Sequence, residues 1–98
     1  MEFEWDEAKN AKNIRERGID FTDAVGIFEG PTLTDYDGRE DYGEDRWIAV
    51  GVVEAIALVI VYTDRGDVRR IISARKATAN EQRDYYEAIF GGAPPWSD

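Results

Sequence analysis

RWIAVGVVEAIALVIVYTDRGDVRRIISARK, residues 46–76, decides the fold. Arg46 to Val53 and Ile56 to Thr63 are apolar and rich in β-branched residues, joined by a tight Glu54-Ala55 connection. Asp64-Arg65-Gly66-Asp67 reads as a turn leading into Val68 to Arg75, so three antiparallel strands in a meander follow. The last strand gathers Arg69, Arg70, Arg75 and Lys76. Strict alternation puts Arg69, Ile71, Ser73 and Arg75 on one side and Arg70, Ile72 and Ala74 on the other, unless a bulge shifts the register.

Outward from the meander the pattern turns helical. Upstream, Phe3 and Trp5 alternate with Glu2 and Glu4 as a short half-buried strand. Asp6 is then the N-cap of a helix over Glu7 to Arg17 that Gly18 closes, with a weak apolar stripe of Ala8, Ala11 and Ile14. A second short helix starts near Phe21, where Phe21, Ala24, Val25 and Phe28 make a core-facing stripe, and it stops at Gly30-Pro31. Thr32 to Tyr36 reads as an edge strand, and the charged run from Asp37 to Asp45 as a solvated loop. Downstream, Thr78-Ala79-Asn80-Glu81 is a capping box that opens a helix through Phe90, with Tyr85 or Tyr86, Ile89 and Phe90 facing inward. The expectation is one α+β domain over residues 1–98: an antiparallel meander, two N-terminal helices, one C-terminal helix, and a flexible tail at 93–98. Its helices should cover one face of the sheet.

Charge is strongly partitioned along the chain. Residues 1–45 carry 14 Asp/Glu against 5 Lys/Arg, residues 46–76 carry 3 against 6, and residues 77–98 carry 4 against 1, within a total of -9. This balance argues against bulk attraction to nucleic acid but leaves room for a short-range phosphate site, because salt screens the acidic remainder beyond roughly 8–10 Å. The chain has no cysteine and no histidine. This removes disulfides, a thiol nucleophile, the usual neutral-pH acid/base and any metal centre built on His or Cys, while a carboxylate Mg²⁺ site stays open. No cofactor is expected. The longest apolar run, Ala55 to Tyr62, is too short to span a bilayer, and a cytoplasmic protein is expected.

Two blocks resemble a known family. Phe3-Glu4-Trp5-Asp6 with Lys9, Asn13 and Gly18 is similar to the opening pattern of BrnT-type toxins of bacterial type II toxin-antitoxin systems. Asp64-Arg65-Gly66, followed by Arg70, Ile71, Ile72, Ser73, Ala74, Arg75, Lys76, Ala77 and Thr78, resembles that family's second signature. The resemblance runs to about residue 87. It implies a RelE-like fold, a ribonuclease that arrests translation, and a cognate antitoxin of the ribbon-helix-helix type, through which alone the chain would meet DNA. Relatives commonly carry histidine where this chain has Arg17, and often where it has Tyr62.

RNA brings its own nucleophile, the 2′-hydroxyl, so cleavage needs a proton acceptor, a donor to the leaving group and stabilisation of the charged phosphorane. Arginines supply the last of these, because guanidinium forks bind phosphate oxygens bidentately and stay charged. The assignment is Arg46, Arg70 and Arg75 around the scissile phosphate, Tyr62 orienting or stacking on a base, and Lys9, Arg17, Arg65 and Lys76 lining the approach, in a metal-independent reaction run mainly on electrostatics. Structural readings stand beside it. Arg70 and Arg75 also suit ion pairs with Asp23, Glu81 or Asp84, and Lys9, Asn13 and Arg17 also suit a solvated helix stripe. The alternative function is a catalytically weak or inactive binding module that acts as antitoxin partner and corepressor.

Overall fold

The computed structural model describes residues 1–91, and the expected tail at 93–98 lies outside the described residues. In chain order the elements are β1 (Glu2–Trp5), α1 (Glu7–Arg17), α2 (Phe21–Ala24) running into a 3-10 segment (Val25–Glu29), β2 (Leu33–Tyr36), β3 (Trp47–Val53), β4 (Ile56–Arg65), β5 (Val68–Lys76) and α3 (Ala79–Phe90). The sheet order is β1-β5-β4-β3-β2. β3 to β5 form the expected three-stranded antiparallel meander, with β2 as the edge strand antiparallel to β3, whereas β1 joins β5 in parallel, with Glu2 opposite Val68 and Trp5 opposite Ile71, so the sheet is mixed. A parallel pair needs a long crossover, and here the chain passes through every other strand before it returns to β1 as β5.

Helices cover both faces, not one. Phe21, Ala24 and Ile27 pack on Ala49, Leu58, Ile60, Tyr62, Ile71 and Ala74, forming the core between the sheet and the α2 segment. On the opposite face Tyr85 and Tyr86 of α3 pack on Val50, Ala57, Val59 and Ala77. Tyr85 further anchors α3 by donating from its hydroxyl to the Pro31 carbonyl at 2.8 Å. Gly51 of β3 has no room for a side chain, since a Cβ there would sit 2.8 Å from the Ile27 Cβ.

The helix ends follow their sequence signals. Asp6 Oδ1 accepts from the backbone N–H of Ala8 and Lys9, and Gly18 closes α1 at φ 70. At α3 the capping box is complete, with Glu81 N–H donating to Thr78 Oγ1 and Thr78 N–H donating to Glu81 Oε1. Phe90 departs from expectation: it is 56 % exposed, with its ring stacked on Tyr86, because the two tyrosines already fill the space under α3.

α1 docks through amides. Ala8, Ala11 and Ile14 face solvent, while Asn10 and Asn13 are buried. Asn10 Oδ1 accepts from Phe21 N–H at 2.9 Å, and Asn10 Nδ2 donates to Asp20 Oδ1 at 3.0 Å. Asn13 Nδ2 donates to the Ile19 carbonyl at 2.8 Å, and Asn13 Oδ1 accepts from Ala74 N–H at 3.3 Å. β1 ends at Ile71 in its pairing with β5, so beyond that point the strand edge would present bare backbone groups. Asn13 and Arg17, whose Nη1 donates to the Ala74 carbonyl at 3.5 Å, take the place of the missing strand.

Candidate functional site

The decisive local feature is a bulge in β5. Val61 of β4 lies opposite Ser73, but the next residue, Tyr62, lies opposite Ile71, so Ile72 is an extra residue with no partner. A bulge of this kind resets the alternation. Arg70 opposite Thr63, Ser73 opposite Val61 and Arg75 opposite Val59 therefore share the face that α3 partly covers, while Arg69, Ile71 and Ala74 share the α2 face. Strict alternation would have separated Arg70 from Arg75.

Two further arginines reach that face. Arg65 ends β4 two residues beyond Thr63, and Arg46 immediately precedes Trp47, whose ring lies on the other side of the sheet. Glu44 ties them together, accepting from Arg46 Nε at 3.4 Å and from Arg65 Nη2 at 3.3 Å. The Arg46 guanidinium lies 4.0 Å above the Tyr42 ring centre. The loop that delivers Glu44 and Tyr42 is no free solvated segment. Asp37 is fully buried, its N–H donates to the Arg46 carbonyl, and its carboxylate takes a two-pronged hydrogen bond from Arg39 at 2.7 and 2.8 Å.

Every guanidinium on this face has a carboxylate beside it. Arg70 pairs with Glu4 at 3.5 Å, and Arg75 pairs with both oxygens of Glu81 at 2.7 and 2.8 Å. The Arg75–Glu81 pair was among the structural partnerships open from sequence; Arg70 instead takes Glu4, brought beside it by the parallel pairing of β1. These contacts fix the protonation chemistry. Hydrogen bonding from Arg75 holds the Glu81 carboxyl down at about 2, and that from Arg39 holds Asp37 at about 2. Glu44 is lowered by Arg65 first and by Arg46 as well. Arg75 in turn is raised by Glu81, while the nearby charge of Arg39 works against it. Carboxylates held this low are weak proton acceptors, so the face offers positive charge more readily than a base.

The remaining residues singled out from sequence lie elsewhere. Tyr62 is buried on the α2 face, edge-on to Phe28 at 5.4 Å and covered by the Arg69 guanidinium at 4.1 Å, with burial pushing its hydroxyl up. It cannot stack on a base held by Arg70 and Arg75, because the sheet stands between them. Lys76 is also on the α2 side, opposite Leu58, where it lines a pocket with Ile19 and Asp23. Lys9 and Arg17 sit at the open edge of β5 with Ile72 and Ser73. Arg69 is held against Phe28 and Tyr62 and bound by both oxygens of Asp64 at 2.8 and 3.0 Å. Arg39, Tyr42, Glu4 and Glu44 were missed, and only a register for β1 or a fold for the acidic loop could have found them.

Among the described residues no group of three or more His, Cys, Asp or Glu could hold a metal ion, and no helix is long and apolar enough to cross a membrane. No curated protein matches the chain. A family model does match, over residues 5–81, and its description is ribonuclease toxin, BrnT, of type II toxin-antitoxin system. The matched segment contains α1, the bulged β5 and all of Arg46, Arg65, Arg70 and Arg75, and on that match the chain belongs to the BrnT family of ribonuclease toxins.

Proposed function

We propose that this toxin cleaves RNA without a metal ion on the arginine face of the sheet, with Arg46, Arg70 and Arg75 around the scissile phosphate and Arg65 beside them. The observation that carries the reading is the Ile72 bulge, which brings Arg70 and Arg75 to one face. The 2′-oxygen attacks the neighbouring phosphorus, the bond from phosphorus to the 5′-oxygen breaks, the 2′-hydroxyl proton passes to water, and the leaving oxygen takes a proton from water. Negative charge grows on the non-bridging oxygens, where guanidinium forks are most effective. RNA must first displace Glu4, Glu44 and Glu81 from their arginines, so binding is an exchange of anions. A type II toxin is matched by an antitoxin, which we take to be of the ribbon-helix-helix type, with DNA contacted through it.

A second reading is favoured by one observation: Arg17, at the position where relatives commonly have histidine, donates to a backbone carbonyl of β5. On that reading the chain is a weak enzyme that serves mainly as antitoxin partner and corepressor. One assay separates the two. A defined RNA is incubated with the wild-type chain, Arg70→Ala, Arg75→Ala and Arg17→His. Cleavage by wild type that falls on the order of 10²-fold in each alanine variant supports the arginine mechanism. Inert wild type with an active Arg17→His variant supports the second reading, and four inert, folded proteins remove the proposed cleavage chemistry.

A further inference from the structure

The cations of the described residues divide by their partners. Arg39, Arg46, Arg65, Arg69, Arg70 and Arg75 each have a carboxylate within 4.0 Å. Arg15, Lys76 and Arg83 take part in none of these pairs, and neither do Lys9, Lys12 and Arg17 of α1. The last three line one groove between α1 and β5, in which Glu16 is the single carboxylate. Three like charges side by side repel one another, and an anion between them turns that cost into attraction. The positive charge that gathers outside these ion pairs is therefore on α1, not on β5, where the sequence draws the eye.

The groove's other wall is the bulge. Ile72 and Ser73 line it, and Ser73 is also the residue between Arg70 and Arg75 on the arginine face. The groove thus opens onto that face at the unpaired edge of the sheet. We infer that it is a second phosphate subsite, holding the backbone of the same RNA strand one or more nucleotides away from the phosphate at Arg70 and Arg75. This rests on the ribonuclease reading and deepens it. Two lysines act as point charges and the Ser73 hydroxyl as a donor, so the subsite reads the backbone and not the base. Arg17, already committed to the Ala74 carbonyl, contributes charge from a fixed place.

The test uses the full chain and a 2′-O-methyl RNA of about 12 nucleotides, long enough to span both subsites and lacking the nucleophile. Binding is followed by fluorescence anisotropy across a KCl series for wild type, for Lys9→Ala with Lys12→Ala, and for Arg83→Ala, a control on the exposed side of α3 whose guanidinium contacts Asn80. The double variant should bind about tenfold or more weakly at low salt. Its log–log salt slope should be shallower by about 1.4, at roughly 0.7 for each phosphate that a lysine no longer neutralises. Arg83→Ala should leave the slope unchanged. A double variant with the wild-type slope overturns the subsite, as does an equal change per charge in Arg83→Ala, or a wild type that does not bind. Because this RNA cannot be cleaved, a chain that degrades no natural RNA but shows the predicted slopes sinks the ribonuclease reading and keeps the groove.

Discussion

Replacing Glu81 by Gln should make the protein less stable and bind RNA more tightly. Glu81 fixes the start of α3 and also holds Arg75 through both carboxylate oxygens. Its carboxyl is held at about 2 against an ordinary 4.5. Taken whole, at about 1.4 kcal/mol per unit, that difference sets an upper limit of about 3.5 kcal/mol. Arg75 is 41 % and Glu81 29 % exposed, so solvent screening brings the ion pair's contribution nearer to about 1 kcal/mol. Gln retains a carbonyl oxygen for the Thr78 N–H, so the cap survives and the loss reports the pair. The folded carboxyl is more acidic than the unfolded one. Its contribution is therefore complete above pH 4.5 and fades as pH falls towards about 2. Urea denaturation at pH 7 should place Glu81→Gln about 1 kcal/mol below wild type, with the gap clearly narrowed by about pH 3. RNA affinity at pH 7 should rise, because Arg75 has lost its competing anion. A gap that does not narrow in acid, or none at pH 7, would refute the reasoning.

Asn13→Ala strands a buried N–H at Ala74 and a carbonyl at Ile19, and should cost about 2–4 kcal/mol by urea denaturation. Glu54 and Ala55 turn β3 into β4 at φ 50 and 65, a left-handed pair that suits Asn-Gly, so Glu54→Asn with Ala55→Gly should add about 1 kcal/mol and raise the melting temperature by several degrees. With no histidine in the chain, the pH–rate profile of RNA cleavage should lack a limb near the usual histidine value of about 6.5, and a clear inflection there would remove the electrostatic account.

Much of the fold was legible because each signal was local. The caps at Asp6, Gly18 and Thr78, the β-branched runs and the turn at Gly66 act within a few residues of themselves, and each stands where its chemistry put it. What stayed hidden was non-local. Nothing near Glu2 says that it will lie parallel to Val68, and that pairing alone supplies Arg70 with Glu4. Asn10 and Asn13 read as surface residues by type, yet their amides answer backbone groups that exist only once α1 meets the sheet. The site shows the same limit. Its arginines were visible as charge, but their shared face depends on one unpaired isoleucine that composition cannot mark. Tyr62 was misplaced because residues alternating along one strand could not be tied to a face before the neighbouring register was known.

The parallel pairing of β1 with β5 also sets an order of events during synthesis. β1 leaves the ribosome ahead of its partner, so it has no strand to join until Val68 to Ile71 emerge, and the amides of α1 have no edge to close until Ala74 does. β2, β3 and β4 can meet as neighbours while the first strand and helix wait. Arg70 and Arg75 arrive last among the proposed site arginines, on the same strand that completes the core between the sheet and the α2 segment. A growing chain thus gains its two central arginines and the last strand of its core together, late, and in one step of folding.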